Sequence, residues 1–306
     1  MRAAVFTEPG SPPSPGEFDE PVAGDGQIVA DVVLGGLNPV DLKTAGTRSV
    51  PSVAGTEGIA IMDGRRVYFG STVRPHGSFA QRTLLHPDRV FDVPHGLEDG
   101  PAVALGIAGL AGWLPLTHQA GLGGGERLLV LGATGLAGQI AVQAAKLLGA
   151  GHVVAAGRDG AALESLLERG ADAIVALGEA DASGPLAAEA GEGFDVIVDY
   201  VFGAPFGAAL AHGARGAMAV VVGAGAGPEA AVAFGALQGK TIVGHANQTV
   251  PLAVRAEAYA TMAEHVVAGR LAFAVERYPL ERVSEAWKAQ AASPHRKLVV
   301  VPDAGR

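Results

Sequence analysis

The residues with the most chemical content lie at 128–138, LLVLGATGLAG. An apolar run leads straight into Gly132-x-x-Gly135-x-x-Gly138, and a helix-forming stretch, QIAVQAAKLLGA, follows at 139–150. Gly132 permits a tight turn. Gly135 lets backbone N–H groups approach a pyrophosphate with no Cβ in the way, and Gly138 lets the helix pack closely on the sheet. The helix N-terminus adds oriented donors and a partial positive charge. The spacing is a variant of G-x-G-x-x-G with Ala133 in the second slot, and its setting between a strand and a helix is the one a dinucleotide requires. The next strand ends in AAGRD at 155–159. A site for NAD would set an acidic residue at this strand end, to bind the ribose 2′-hydroxyl. Gly157 stands there instead, and Arg158 follows. A guanidinium suits a 2′-phosphate, so the expected cofactor is NADPH.

Elements on both sides must position these residues. From 102 to 250, short apolar runs at 127–133, 152–157, 173–177, 194–201, 217–223 and 240–246 alternate with helical patterns at 139–150, 162–170 and 206–213. Such alternation predicts a parallel sheet covered on both faces. The first hundred residues differ. Strand-like runs at 27–38, 58–70 and 78–86 are separated by turn signals, with Asp63-Gly64 as a hairpin and Pro12, Pro13 and Pro15 in a loop. They predict a small barrel-like β domain. The stretch 102–121 is apolar at helical spacing. The tail, 251–306, returns to a long helix, a strand, a short helix at 284–292 and the strand KLVVV. The expected fold is therefore α/β: a Rossmann doubly wound parallel sheet over 102–250 and a β-barrel-type catalytic domain made of 1–101 and 251–306.

Composition narrows the function. The chain has 306 residues, no cysteine and a formal net charge of -9. Without cysteine there is no disulfide framework, no thiolate nucleophile and no cysteine-ligated zinc. The nine histidines are scattered without metal-ligand spacing, so no metal site is expected. The acidic balance argues against nucleic acid as a partner. No apolar stretch reads as a membrane span and the N-terminus does not read as a signal peptide, so the expectation is a soluble cytoplasmic protein.

Several segments in order, GGLNPVDLKTAG (35–46), VAGTEGIA (53–60), HGSFAQ (76–81), LVLGATGLAGQIAVQAAKLLGA (129–150) and HRKLVVV (295–301), resemble the zinc-free quinone oxidoreductases of the medium-chain dehydrogenase/reductase superfamily. The resemblance covers nearly the whole chain and implies a GroES-like catalytic domain. Where zinc alcohol dehydrogenases of that superfamily hold metal with Cys and His, this chain has Asn38 and Thr56. The resemblance implies NADPH-dependent hydride transfer to a quinone or an α,β-unsaturated carbonyl. Asn38 is then a neutral positioning donor, Asp41 either a catalytic group or a loop cap, and Lys43 stands where many relatives carry Tyr. A lysine there is either a proton donor or an exposed charge. The same resemblance places Ala133, Thr134, Gly135, Leu136 and Ala137 over the pyrophosphate. Tyr200, Val201 and Phe202 come near a ribose, and Gly223, Ala224 and Gly225 near the nicotinamide half. Asn247 and Gln248 contact the carboxamide, and Lys297 lies near the cofactor. Two other readings stay open: an enoyl reductase for a larger acyl substrate, and a low-turnover NADPH-binding protein. Relatives pair the strand at 240–246 with its two-fold mate, which implies a homodimer.

Overall fold

The computed structural model describes residues 1–178 and 183–302. The chain divides into two compact units, Met1–Ala108 with Leu252–Arg306, and Gly109–Pro251.

The second unit is built on six parallel strands: β1 Arg127–Leu131, β2 His152–Gly157, β3 Ala173–Ala176, β4 Phe194–Asp199, β5 Gly213–Val221 and β6 Thr241–Gly244. Their order is β3-β2-β1-β4-β5-β6, the doubly wound order of dinucleotide-binding domains. β1 lies at the point where the order reverses, and its last four residues are buried, as expected of a central strand covered on both faces. Helices Leu136–Leu147, Gly160–Leu167, Ser183–Ala190 and Gly203–Ala211 connect successive strands. Leu129, Leu131, Val154, Val175, Leu186, Ile197, Phe206 and Leu210 form one buried cluster in this unit. β6 is the edge strand, and Ile242 on it is 42% exposed.

The first unit holds a seven-stranded mixed sheet. In it, Val275–Pro279, Lys297–Val301, Ile28–Leu37, Glu57–Met62, Arg65–Phe69 and Val90–Asp92 lie side by side, and Arg82–Leu85 pairs with Ile28–Leu37. A smaller sheet joins Ser14–Glu17, Arg2–Phe6 and Ser52–Val53. The expected hairpin is present, with Asp63 at φ 49 and Gly64 at φ 74, the double left-handed turn whose twist suits two antiparallel strands. Leu298 pairs with Leu37, so the C-terminal strand runs beside the segment that ends at Asn38.

The apolar stretch expected as one helix is interrupted. Helix Asp99–Ala104 passes into a wider-pitched turn, Leu105–Gly109, in which Gly106 leaves helical geometry at ψ -111. The Tyr68 ring requires glycine at the break: a Cβ on Gly106 would lie 2.1 Å from it. The Ile107 N–H donates to Glu57 Oε2 at 2.8 Å. The sequence reading found no membrane-length apolar run, yet Asp99–Gln119 qualifies by length and composition. Most of it, 78%, is buried within the protein, the condition of a core helix.

Candidate functional site

In the second unit, four turns meet at the carboxyl ends of β1, β2, β4 and β5. At the end of β1, Gly132 takes φ 80, open to glycine at little cost. The N–H groups of Gly132 and Ala133 both donate to Ala156 O at 2.9 Å, which ties the turn to β2. Gly135 is the N-cap of helix Leu136–Leu147. A Cβ on Gly138 would stand 2.4 Å from Gly132 O and 2.6 Å from Ala133 Cα, so the helix touches the turn backbone to backbone. Thr134 is buried, and a Cβ on Gly157 would come 2.9 Å from its methyl carbon. Arg158 is exposed beyond it, while Asp159 caps helix Gly160–Leu167 by accepting from Ala162 N at 3.0 Å.

Tyr200 and Val201 close on the same turn: their side chains lie 3.2 and 2.9 Å from a Cβ placed on Gly132. Phe202 takes φ 54, an uncommon conformation for a bulky residue. A Cβ on Gly223 would lie 2.5 Å from Tyr200 O. Ala224 and Gly225 are exposed next to it. Asn247 opens a short turn after β6, where its Oδ1 lies 3.0 Å from His245 Nε2, and Gln248 is exposed. Burial holds His245 below the usual imidazole range. The sequence reading passed over Asp199. Its carboxylate is buried at the end of β4 and accepts from the N–H groups of Val201 and Phe202 at 2.8 and 2.9 Å. Burial raises its pKa to about 6 against those two bonds.

In the first unit, the expected catalytic residues lie at helix Pro39–Thr44. Asn38 is buried, and its side-chain amide is held inside the protein: Nδ2 donates to Glu57 Oε1 and Oδ1 accepts from Lys297 Nζ, both at 2.8 Å. Asp41 Oδ2 accepts from Asn38 N at 2.9 Å, and its Oδ1 accepts from Thr56 Oγ1 at 2.7 Å. Arg48 Nη2 in turn donates to Thr56 Oγ1 at 3.1 Å. Asp41 thus caps the helix and binds the loop, and burial raises its pKa. Lys43 points outward, exposed.

Lys297, expected near the cofactor, is enclosed in the first unit. It is 1% exposed, and its ammonium donates to Glu57 Oε1 at 2.5 Å, Asn38 Oδ1 at 2.8 Å and Leu37 O at 3.3 Å. All three of its protons are thereby engaged. Glu57 also accepts from Tyr68 OH at 2.7 Å. Sequence reasoning missed Glu57. The available signal was a carboxylate inside the otherwise apolar strand Glu57–Met62, a position where an unpaired charge is not tolerated. Among the described residues, no three of His, Cys, Asp and Glu cluster as metal ligands would.

The model of the zinc-binding dehydrogenase family matches residues 137–266. Human quinone oxidoreductase is 27% identical over 220 residues, an alignment covering 66% of each chain. The crystal structure of the quinone oxidoreductase of Pseudomonas syringae pv. Tomato DC3000 superposes with a TM-score of 0.87 at 20% identity, over 98% of this chain and 99% of that one. The chain is thus similar in sequence and in fold to the quinone oxidoreductases of the medium-chain dehydrogenase/reductase superfamily. A mycobacterial structure complexed with NADPH has the same fold, with a TM-score of 0.87 at 21% identity over 99% of this chain.

Proposed function

We propose that this protein is a zinc-independent medium-chain dehydrogenase/reductase that uses NADPH to reduce a quinone or an α,β-unsaturated carbonyl. The observation that carries the reading is the strand, glycine turn and helix at the reversal point of the parallel sheet. The residues fit a dinucleotide. Gly132 and Gly138 are closed against protein, whereas a Cβ on Gly135 would meet only Gly132 O, at 3.5 Å, so the space over the helix N-terminus is open. The similarity to human quinone oxidoreductase supports the acceptor class, and the NADPH-complexed mycobacterial neighbour supports the cofactor.

When bound, NADPH supplies a hydride from its nicotinamide ring. The chain supplies the rest. N–H groups of Leu136 and Ala137, in the first helical turn, face the pyrophosphate, since no helical carbonyl takes them. The turns at 200–202 and 223–225 and residues Asn247 and Gln248 line the remaining length. Asn38 and Asp41 hold the start of helix Pro39–Thr44. The test is steady-state NADPH oxidation with a panel of quinones and enones, before and after dialysis against a chelator. Turnover unchanged by the chelator is expected. Stoichiometric zinc whose removal abolishes activity would overturn zinc independence, and absence of turnover with every acceptor would overturn the reductase reading.

Arg158 sets the cofactor preference in this reading. Arg158→Ala is expected to raise the KM for NADPH about tenfold to a hundredfold, the loss of one charge-assisted contact of about 1.5–3 kcal/mol, while NADH kinetics stay nearly constant. Equal affinity of the wild type for the two nucleotides would refute the preference.

The reading includes a homodimer. β6 is a sheet edge with Ile242 exposed, and Phe234 and Leu237 just before it are 77% and 41% exposed. An open apolar edge pairs or aggregates unless covered, and a two-fold partner would present the same backbone row. Light scattering at micromolar concentration should give the dimer mass, and Ile242→Pro, which removes a ladder donor, should give monomer or aggregate. A monomeric wild type would dismiss this assembly.

A further inference from the structure

We propose that Asp199 is the positioning residue of the cofactor rim: from the end of β4 it holds the turns at 200–203 and 222–226 in the conformation that receives the nucleotide. The proposal rests on the reading of this unit as a nicotinamide-nucleotide site.

Asp199 binds in two directions. Its carboxylate accepts from the N–H groups of Val201 at 2.8 Å and Phe202 at 2.9 Å. These bonds fix the segment in which Phe202 takes φ 54 and Gly203 φ 68. For a bulky side chain the left-handed region is strained and persists only where surroundings impose it. Its backbone carbonyl accepts from Val222 N at 2.7 Å and Gly223 N at 3.2 Å. The second turn is then tied to the first by Gly225 N to Tyr200 O at 3.4 Å and Ala226 N to Val201 O at 2.6 Å. Val201 and Tyr200 in turn abut Gly132. One residue thus sets the spacing of two turns from the glycine turn. All three lie at the carboxyl ends of strands beside the reversal point, where open parallel sheets bind ligands.

The carboxylate is there at a cost to folding. With a folded pKa of about 6 against an ordinary 3.8, Asp199 favours the folded state below pH 3.8, and that contribution is lost as pH rises through about 6. At neutral pH the ionised group therefore opposes stability, and a residue kept for packing would be neutral. Its surroundings hold no compensating cation among the described residues. Leu131 and Val221 lie level with it on β1 and β5. Tyr200 is the adjacent titratable group, and its phenol is raised by burial and then by Asp199. The ionised carboxylate instead strengthens its bonds to the Val201 and Phe202 N–H groups, since charge-assisted bonds are the stronger kind.

Affinity for NADP⁺ should be measured across pH 5–8 by calorimetry for the wild type, Asp199→Asn and Asp199→Ala, with thermal melts of each. Asp199→Ala is expected to weaken binding about tenfold or more at pH 7.5, as both turn bonds vanish. Asp199→Asn keeps an acceptor but no charge. It should melt at or above the wild-type temperature at pH 7.5 and still bind several-fold more weakly. The wild-type affinity should fall towards that of Asp199→Asn below about pH 6. Titration of the nucleotide's own phosphate is common to both proteins and cancels. If Asp199→Ala does not fold, the Asn variant and the wild-type pH profile decide. Folded variants that bind as the wild type does, with parallel pH profiles, would overturn the role of Asp199 and leave the cofactor reading standing. A wild type that binds neither NADP⁺ nor NAD⁺ would overturn both.

Discussion

Replacing Lys297 by Met should lower the melting temperature of the protein by roughly 10 °C, the largest stability effect expected of any single change in the first unit. Lys297 and Glu57 are 1% and 0% exposed, and their charged atoms are 2.5 Å apart. Removing the ammonium leaves a fully buried carboxylate without its cation. An uncompensated buried charge of this kind costs about 3–5 kcal/mol. Glu57 would retain Asn38 Nδ2, Tyr68 OH and Ile107 N, which soften the loss and do not replace the charge. The double variant Glu57→Gln/Lys297→Met removes both charges and should recover much of the loss, because a buried pair contributes little beyond its mutual cancellation. Differential scanning calorimetry on the three proteins distinguishes the cases. A Lys297→Met protein that melts within about 2 °C of the wild type would show that the pair is solvated or dispensable.

Gly138→Ala should abolish nucleotide binding and destabilise the second unit by about 1–3 kcal/mol. Elsewhere in a helix, the same exchange gains about 1 kcal/mol, because alanine is the better helix former. Here the added Cβ would meet Gly132 O at 2.4 Å and Ala133 Cα at 2.6 Å. Both are backbone atoms that cannot swing aside as a side chain does. The helix would have to lift off the turn, carrying its first-turn N–H groups away from the phosphate position. Gly160→Ala is the control. It opens the next helix, and nothing lies within 4 Å of its added Cβ, so it should fold and bind as the wild type does. Calorimetric NADP⁺ affinity and a thermal melt read both variants. Wild-type affinity in Gly138→Ala would mean that the close contact is not what forms the turn.

The glycine turn was legible because everything that forms it is local. A buried strand, a residue at φ 80 and a helix start within a few positions of one another, and each is encoded by apolar runs and missing side chains. The same holds for the alternation that yields β1 to β6 and for the hairpin at Asp63-Gly64. The turns that follow β1, β2, β4 and β5 lie at one end of the sheet, because in a parallel sheet every strand's carboxyl end lies on the same side.

Three features belong to the tertiary structure alone. Lys297 reaches Glu57 across 240 positions of sequence, and only the pairing of Leu298 with Leu37 makes this basic residue a buried counterion. The need for glycine at the helix break, Gly106, comes from the Tyr68 ring that fills its Cβ position, and apolar periodicity carries no trace of a ring from another strand. Asp199 reads in sequence as the polar end of a strand. Its importance comes from two turns that fold back onto one residue. Local periodicity determines which elements form, since it acts through the backbone's own geometry. The partner a buried charge finds is decided by which strands become neighbours, because desolvation makes an unpaired charge untenable wherever the sheet happens to enclose it.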